Sequence, residues 1–177
     1  MIDRGEGFIY DDVLDITWTQ DANINGLDTW DNQVAWAAGY SQTHTVYGTF
    51  DDWRLPSMDV NGDNTFETFV DCSSASEVAC RDNEYGYLFW QYGITESSPG
   101  DFTNVQPQLY YSGTELAPNT NYAWYFGFYE GNQRISNKSN GRYAFAVRDG
   151  DIAAIPEPST ALLFGVGLLG LAGRRRL

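Results

Sequence analysis

The sequence predicts an α+β domain with two helices and an irregular antiparallel sheet, followed by a separate hydrophobic helix at the C-terminus. Three observations carry that prediction. Strand-like and helix-like apolar spacings alternate in the first half of the chain and give way to strands alone after Leu109. Aromatic residues make up 16% of the 177 residues, beside many Asn, Gly, Ser and Thr and few lysines, as in a polar-surfaced, β-rich fold. From Thr160 to Gly173 no residue is charged, and Arg174, Arg175 and Arg176 close the run.

The elements follow in order. Phe8-Ile9-Tyr10 and Leu14 to Trp18 are β-type runs parted by Asp11 and Asp12, which favour a turn, so the domain opens on a hairpin. Trp30, Val34 and Ala38, with Ala35 alongside, recur at helical spacing up to Gly39, and Asp28 or Thr29 caps the helix they predict. Pro56 pushes Leu55 into extended geometry, and residues 57–83 read as a polar insertion. Tyr85, Leu88, Phe89 and Tyr92 predict a second helix over 84–92. Residues 94–105 read as loop, with Ser97, Ser98, Pro99 and Gly100 as turn residues. Strands are predicted at 109–111, 122–129, 133–135 and 143–148, with Asn140-Gly141 as a two-residue hairpin turn. Both faces of 122–129 are apolar or aromatic, which predicts a central strand.

The tail carries the sharpest signal. Leu162, Leu163, Phe164, Val166, Leu168, Leu169 and Leu171 make it hydrophobic on every side, as lipid requires of a helix. Its 14 residues span only about 21 Å, short for a bilayer core. Its position at the chain end, behind Pro156-Glu157-Pro158 and ahead of the arginine triplet, outweighs that shortness. The triplet would stay cytoplasmic as a membrane stop, leaving everything before Pro156 outside. Those residues resemble the PEP-CTERM sorting signal of Gram-negative bacteria that make exopolysaccharide. The resemblance implies a transient inner-membrane anchor removed by a partner enzyme, the exosortase, and hence an exported protein of the cell envelope or extracellular matrix. The chain accordingly divides into a domain over 1–151, a linker over 152–159 that holds the tripeptide, a transmembrane sorting helix over 160–173 and a basic cytoplasmic tail over 174–177. Met1 to Gly7 has neither the charged start nor the apolar stretch of an export signal, so a leader is expected to be missing from this sequence.

Charge narrows the partners. The formal net charge is −14 and would fall to about −17 without the three tail arginines. Such a field repels nucleic acid and anionic lipid and weakly attracts divalent cations, so no nucleic-acid partner is expected. Cys72 and Cys80, outside the cell, are expected to close a short disulfide loop.

Within the domain, "FIYDDVLDITWTQDAN", "TWDNQVAWAAG", "DDWRLPS", "EYGYLFW", "YAWYFGFYEGNQ" and "NKSNGRYAFAVRDG" resemble, in that order, the Lcl C-terminal domain family. The resemblance covers nearly all of residues 2–150. It implies a compact fold similar to C-type lectins and sulfatase-modifying-factor domains, in which Trp18, Trp36, Trp53 and Trp124 are core residues, while Trp90 is the tryptophan expected at the surface. The family offers no catalytic signature to carry over. The domain of its collagen-like adhesin member binds sulfated glycans; this acidic chain lacks a basic patch, so glycan binding here is expected to use aromatics or a cation bridge.

Local chemistry is sparse. Asp59, Asn61 and Asp63 place oxygens at positions 1, 3 and 5 of an EF-hand-like loop, but Asn64 stands at the glycine position and Val70 at the position of the final acid. The loop is therefore either a calcium site or a polar, turn-rich insertion. Asp11/Asp12 and Asp51/Asp52 read as turn or solvated acids, because adjacent strand residues point to opposite faces. His44, the single histidine, lies in a polar loop without a nucleophile-elbow pattern. Asn137-Lys138-Ser139 has the form of a glycosylation acceptor, read here as chance. No catalytic residue and no obligatory cofactor is expected. Three readings follow: a non-enzymatic surface or matrix protein associated with exopolysaccharide; a carbohydrate-binding module, with calcium as an option; and, behind both, a polysaccharide-active enzyme.

Overall fold

The predicted opening hairpin forms, and the residues before it add a strand the sequence did not announce. The computed structural model describes residues 1–59 and 83–153. In it β1 (Ile2–Gly5), β2 (Phe8–Asp11) and β3 (Ile16–Thr19) run antiparallel. A last strand, β9 (Val147–Asp149), pairs antiparallel with β3 and completes the sheet order β1-β2-β3-β9.

Helix α1 (Trp30–Gly39) forms where expected, but its inward face is rotated from the predicted stripe. Trp30, Gln33 and Ala37 are buried, whereas Ala35 and Ala38 face solvent. Gln33 reverses the apolar count because it is a polar residue with partners. Its Nε2 donates to Gly26 O at 2.9 Å and Arg142 O at 2.7 Å, and its Oε1 accepts from Asn25 at 3.1 Å. Thr29 occupies the N-cap without a side-chain capping bond, while Asp28 Oδ1 accepts from Thr29 N and from Asn32.

The stretch holding His44 is a hairpin rather than a polar loop: β4 (Gln42–His44) pairs with β5 (Gly48–Phe50). His44 is buried, accepts from Val46 N at Nδ1 and contacts Arg4 O through Nε2, so its ring chemistry is consumed in docking the hairpin on β1. Asp11 is a turn acid, one of its two expected roles, but a buried one: its Oδ1 accepts from Val13 N, Leu14 N and Tyr92 Oη.

Helix α2 (Glu84–Tyr92) is fixed at both ends, by Asn83 Oδ1 accepting from Gly86 N and by Gly93 in the left-handed region at φ 66°. It packs on one face of a three-stranded sheet of β6 (Leu109–Glu115), β7 (Tyr122–Gly127) and β8 (Asn132–Asn137), with β7 central as predicted. On that face Trp124, Phe126 and Phe128 meet Tyr85, Tyr110, Trp18 and Phe145 in the main core. On the other, Tyr111 and Ala123 pack with Trp30 and Ala37 of α1. Trp18, Trp53 and Trp124 are buried as expected, Trp36 is half-buried, and Trp90 is exposed.

Asn140-Gly141 does not close a hairpin. The chain turns there and crosses between sheets, exchanging backbone bonds with Asp28, Leu109 and Tyr111 before entering β9, whose first residue Val147 pairs with Arg54. This closing segment ties every layer together. Among the described residues no helix is long and apolar enough to cross a membrane, and the tail over 154–177 lies outside them.

Candidate functional site

The turn from β7 to β8 shapes one end of the three-stranded sheet. Gly131, at φ 63°, makes that turn possible, and a Cβ there would lie 2.5 Å from the Phe89 ring, so the turn is pinned against α2. Cross-strand register then sets Arg134 directly opposite Tyr125. Tyr125 is half-buried and Tyr129 is 73% exposed. Together with Gln108, Glu130 and Arg142 they line a recess of about 390 Å³.

The electrostatics of this recess differ from those of the rest of the surface. Four of the described cations are spent on carboxylates: Arg4 on Asp151, Arg54 on Glu84 and Asp149, Lys138 on Glu115, and Arg148 on Asp52. Arg134 and Arg142 make no ion pair among the described residues. Arg142 is held by its backbone, through two bonds with Asp28 and one from Gln33, and its Nη1 donates to Gly141 O at 2.9 Å. Its Nε is buried and has no hydrogen-bond partner. Burial pushes the Tyr125 hydroxyl up, with Arg134 and then Arg142 opposing and Glu130 adding to the shift. The two guanidinium groups and the carboxylate line the same recess as the Tyr125 phenol.

Chemically, the arrangement offers an exposed aromatic face, fork-shaped cationic donors, an amide and one carboxylate. Such a set orients a polar ligand that carries ring faces, hydroxyls and acidic oxygens. Glu130 is partly committed to Asn132, whose amide donates to it. No group of three or more metal-ligating side chains occurs among the described residues.

A second cleft lies between α1 and β6, lined by Val34, Trp53, Arg54, Leu55 and Thr114. Its arginine is not available to a ligand. Arg54 donates to both oxygens of Glu84 at 2.8 and 2.9 Å and to Asp149 at 2.7 Å, and Glu84 also accepts from Ser57 N. Those pairings raise the guanidinium further above its ordinary range against its burial.

The sequence did not point to the Arg134/Arg142 recess, because its cations are eight positions apart and form no basic run. The signal that was available is the period-two pattern of 122–129, which sets Tyr125 and Tyr129 on one face. Of the candidate calcium ligands, Asp59 is described, with its backbone N–H donating to Ser57 Oγ at 3.0 Å. Asn61, Asp63, Cys72, Cys80, the Pro156-Glu157-Pro158 motif and Arg174 to Arg176 lie outside the described residues.

Comparison with known families gives two matches. The model of the Lcl C-terminal domain matches residues 7–148, and that of the PEP-CTERM protein-sorting motif matches residues 154–176. Neither a curated protein nor a solved structure matches the chain.

Proposed function

We propose, for a chain that belongs to the Lcl C-terminal domain family and whose tail marks it as an exported substrate of exosortase, that it is a non-enzymatic polysaccharide-binding protein of the cell envelope or extracellular matrix. The observation that carries this reading is the gathering of the two unpaired described arginines beside Tyr125 and the exposed Tyr129. On a chain of net charge −14, unpaired cations in a tyrosine-lined recess favour a ligand with acidic or hydroxyl oxygens over a generic anion. Tyrosine supplies a flat apolar face at low entropic cost, and guanidinium supplies fixed donors. The platform sets Tyr125 and Arg134 of the strands beside a turn pinned against α2, which suits presentation of a ligand more than closure over it. Two helices with irregular sheets are compatible with a C-type-lectin-like arrangement, and the recess holds one carboxylate where glycoside hydrolysis takes two. Both observations support binding over catalysis.

The test is retention of the full exported chain on its native exopolysaccharide, with calcium or with chelator. The expected result is retention in both conditions, weakened at least tenfold by combined Tyr129→Ala and Arg142→Gln. Retention in calcium alone would move the site to the Asp59, Asn61 and Asp63 loop, and no retention in either condition would leave a purely structural matrix role.

A further inference from the structure

At the opposite end of β7 the surface has a different chemistry. The start of α1, the turn joining β6 to β7, and the end of β8 enclose a polar recess of about 450 Å³. Its lining holds no aromatic residue: Thr29, Asp31, Thr120, Asn121 and Lys138 stand beside Asn137 and Ser139, which are bonded to each other. The walls are set by backbone bonds between all three elements. Trp30 N donates to Lys138 O and Lys138 N to Asn121 O, each at 3.0 Å, while within the turn Asn121 N donates to the Asn119 side chain at 3.3 Å.

The lysine at its rim is immobilised: Lys138 Nζ sits 3.8 Å from the centre of the Trp30 ring and is paired with Glu115. Its charge is thereby neutralised, and Asp31 makes the recess unfavourable for anions. What remains are the Thr29 and Thr120 hydroxyls, the Asn121 amide and the Asp31 carboxylate, none of which is hydrogen-bonded to another described side chain. Thr29 is notable because it occupies the N-cap position without using its hydroxyl as a cap. Hydroxyl, amide and carboxylate groups on a wall held by backbone bonds match the alternating donors and acceptors of neutral sugar hydroxyls.

We infer that this recess is a second saccharide subsite, selective for neutral sugars, and that the protein bridges two polysaccharide chains through recesses at the two ends of one sheet. The inference rests on the saccharide reading of the Tyr125 recess. Asn121, just ahead of β7, and Tyr125 within it stand four residues apart, about 13 Å at the rise of an extended strand, and no residue lines both recesses, so each recess can take its own polymer segment. Bridging needs no subunit contact, and many such molecules along the same pair of chains add up, because once one bridge is made the next forms between polymers already held together.

The experiment uses the full chain with dextran as a neutral probe and alginate as a polyuronate probe. Each immobilised polymer is expected to retain the protein, and mixing the two with protein is expected to raise light scattering above that of either polymer with protein. Thr29→Val with Asn121→Leu should cut dextran retention at least tenfold and leave alginate retention intact. Arg134→Gln with Arg142→Gln should do the reverse, and neither variant should scatter in the mixture. Should a variant fail to fold, amide shift changes at Asn121, Lys138 and Ser139 on adding short dextran oligosaccharides to the unmodified protein provide the same test. Alginate retention without dextran retention or those shifts overturns the second subsite and leaves the proposed function standing. Loss of both overturns the two together.

Discussion

Arg54 is bonded to the closing segment of the chain and Arg142 lies within it, yet the protein uses them in opposite ways. Arg54 pairs through its backbone with Val147 and spends its guanidinium on Glu84 and Asp149, in a cluster whose polar groups are answered from within. Arg142 pairs through its backbone with Asp28 and leaves a buried Nε without a partner, beside the exposed Tyr129. The difference separates residues that hold the fold from residues that the fold holds out. A charge that is fully answered internally has little left for a ligand, whereas one fixed mainly through its backbone, with no carboxylate on its guanidinium among the described residues, is positioned without being neutralised.

The comparison breaks if the Arg54 side of the molecule tolerates change. Tyr85 is the hinge of that side: its ring meets Trp18, Tyr110, Phe126, Phe128 and Phe145, and its hydroxyl donates to Tyr111 O while accepting from Phe145 N. Tyr85→Ala should cost about 4 kcal/mol from lost burial and the cavity left behind, read as a fall in the urea midpoint. Next in size, Glu84→Ala should cost about 3 kcal/mol. That figure takes the low end for breaking a buried pair, because Arg54 is 38% exposed and keeps Asp149. A loss below about 1 kcal/mol in either variant would show that the internal pairing is not what holds this side.

Gln33 joins the two regions, since its amide supports the backbone of Arg142 from inside α1. Gln33→Leu should cost about 2 kcal/mol, because the Gly26 and Arg142 carbonyls lose donors that an apolar side chain cannot replace. Polysaccharide retention should fall with it if the main chain of Arg142 is what aims the guanidinium.

The same residue shows where the sequence stops being readable. Strands β2, β3, β6, β7 and β8 and both helices could be placed because apolar period and turn chemistry are local. The inward face of α1 could not, because Gln33 is buried by hydrogen bonds to Gly26 and to Arg142, the latter more than a hundred residues away. Asn140-Gly141 has the composition of a hairpin turn, but the residues after it find partners in another sheet, and a local signal cannot name a distant partner. His44 looked idle in a polar run because its partners belong to β1 and to its own hairpin tip. The candidate site was half legible: the spacing of Tyr125 and Tyr129 was visible in the sequence. The approach of Arg134 depends on the β7–β8 register, and that of Arg142 on the crossing segment.

A smaller effect separates surface pairs from both regions. Asp52 accepts two bonds from Arg148, and these hold its carboxyl below the ordinary aspartate range. A carboxyl lowered on folding stabilises the protein above the unfolded value of about 4 and loses that contribution as pH falls through the folded value. Asp52→Asn should therefore flatten the stability change below about pH 4, by less than about 1 kcal/mol because the aspartate is 56% exposed. Melts of both proteins across pH 2 to 5 would show it, and parallel curves would remove the pair from the acid response.

The smallest expected effect on stability is also the most discriminating. Arg134 is exposed, stands opposite Tyr125 in the sheet, and has no carboxylate partner among the described residues, so Arg134→Gln removes charge without breaking an ion pair there. It should change the unfolding free energy by no more than about 0.5 kcal/mol, as surface substitutions away from caps, cores and networks do. Polyuronate retention should nevertheless fall about tenfold, corresponding to about 1.4 kcal/mol of lost interaction. A stability loss comparable to that of Glu84→Ala would place Arg134 with the internally answered arginines and dissolve the contrast. A neutral melt together with lost retention would mean that what the fold leaves unanswered at this end of the sheet is answered by its ligand.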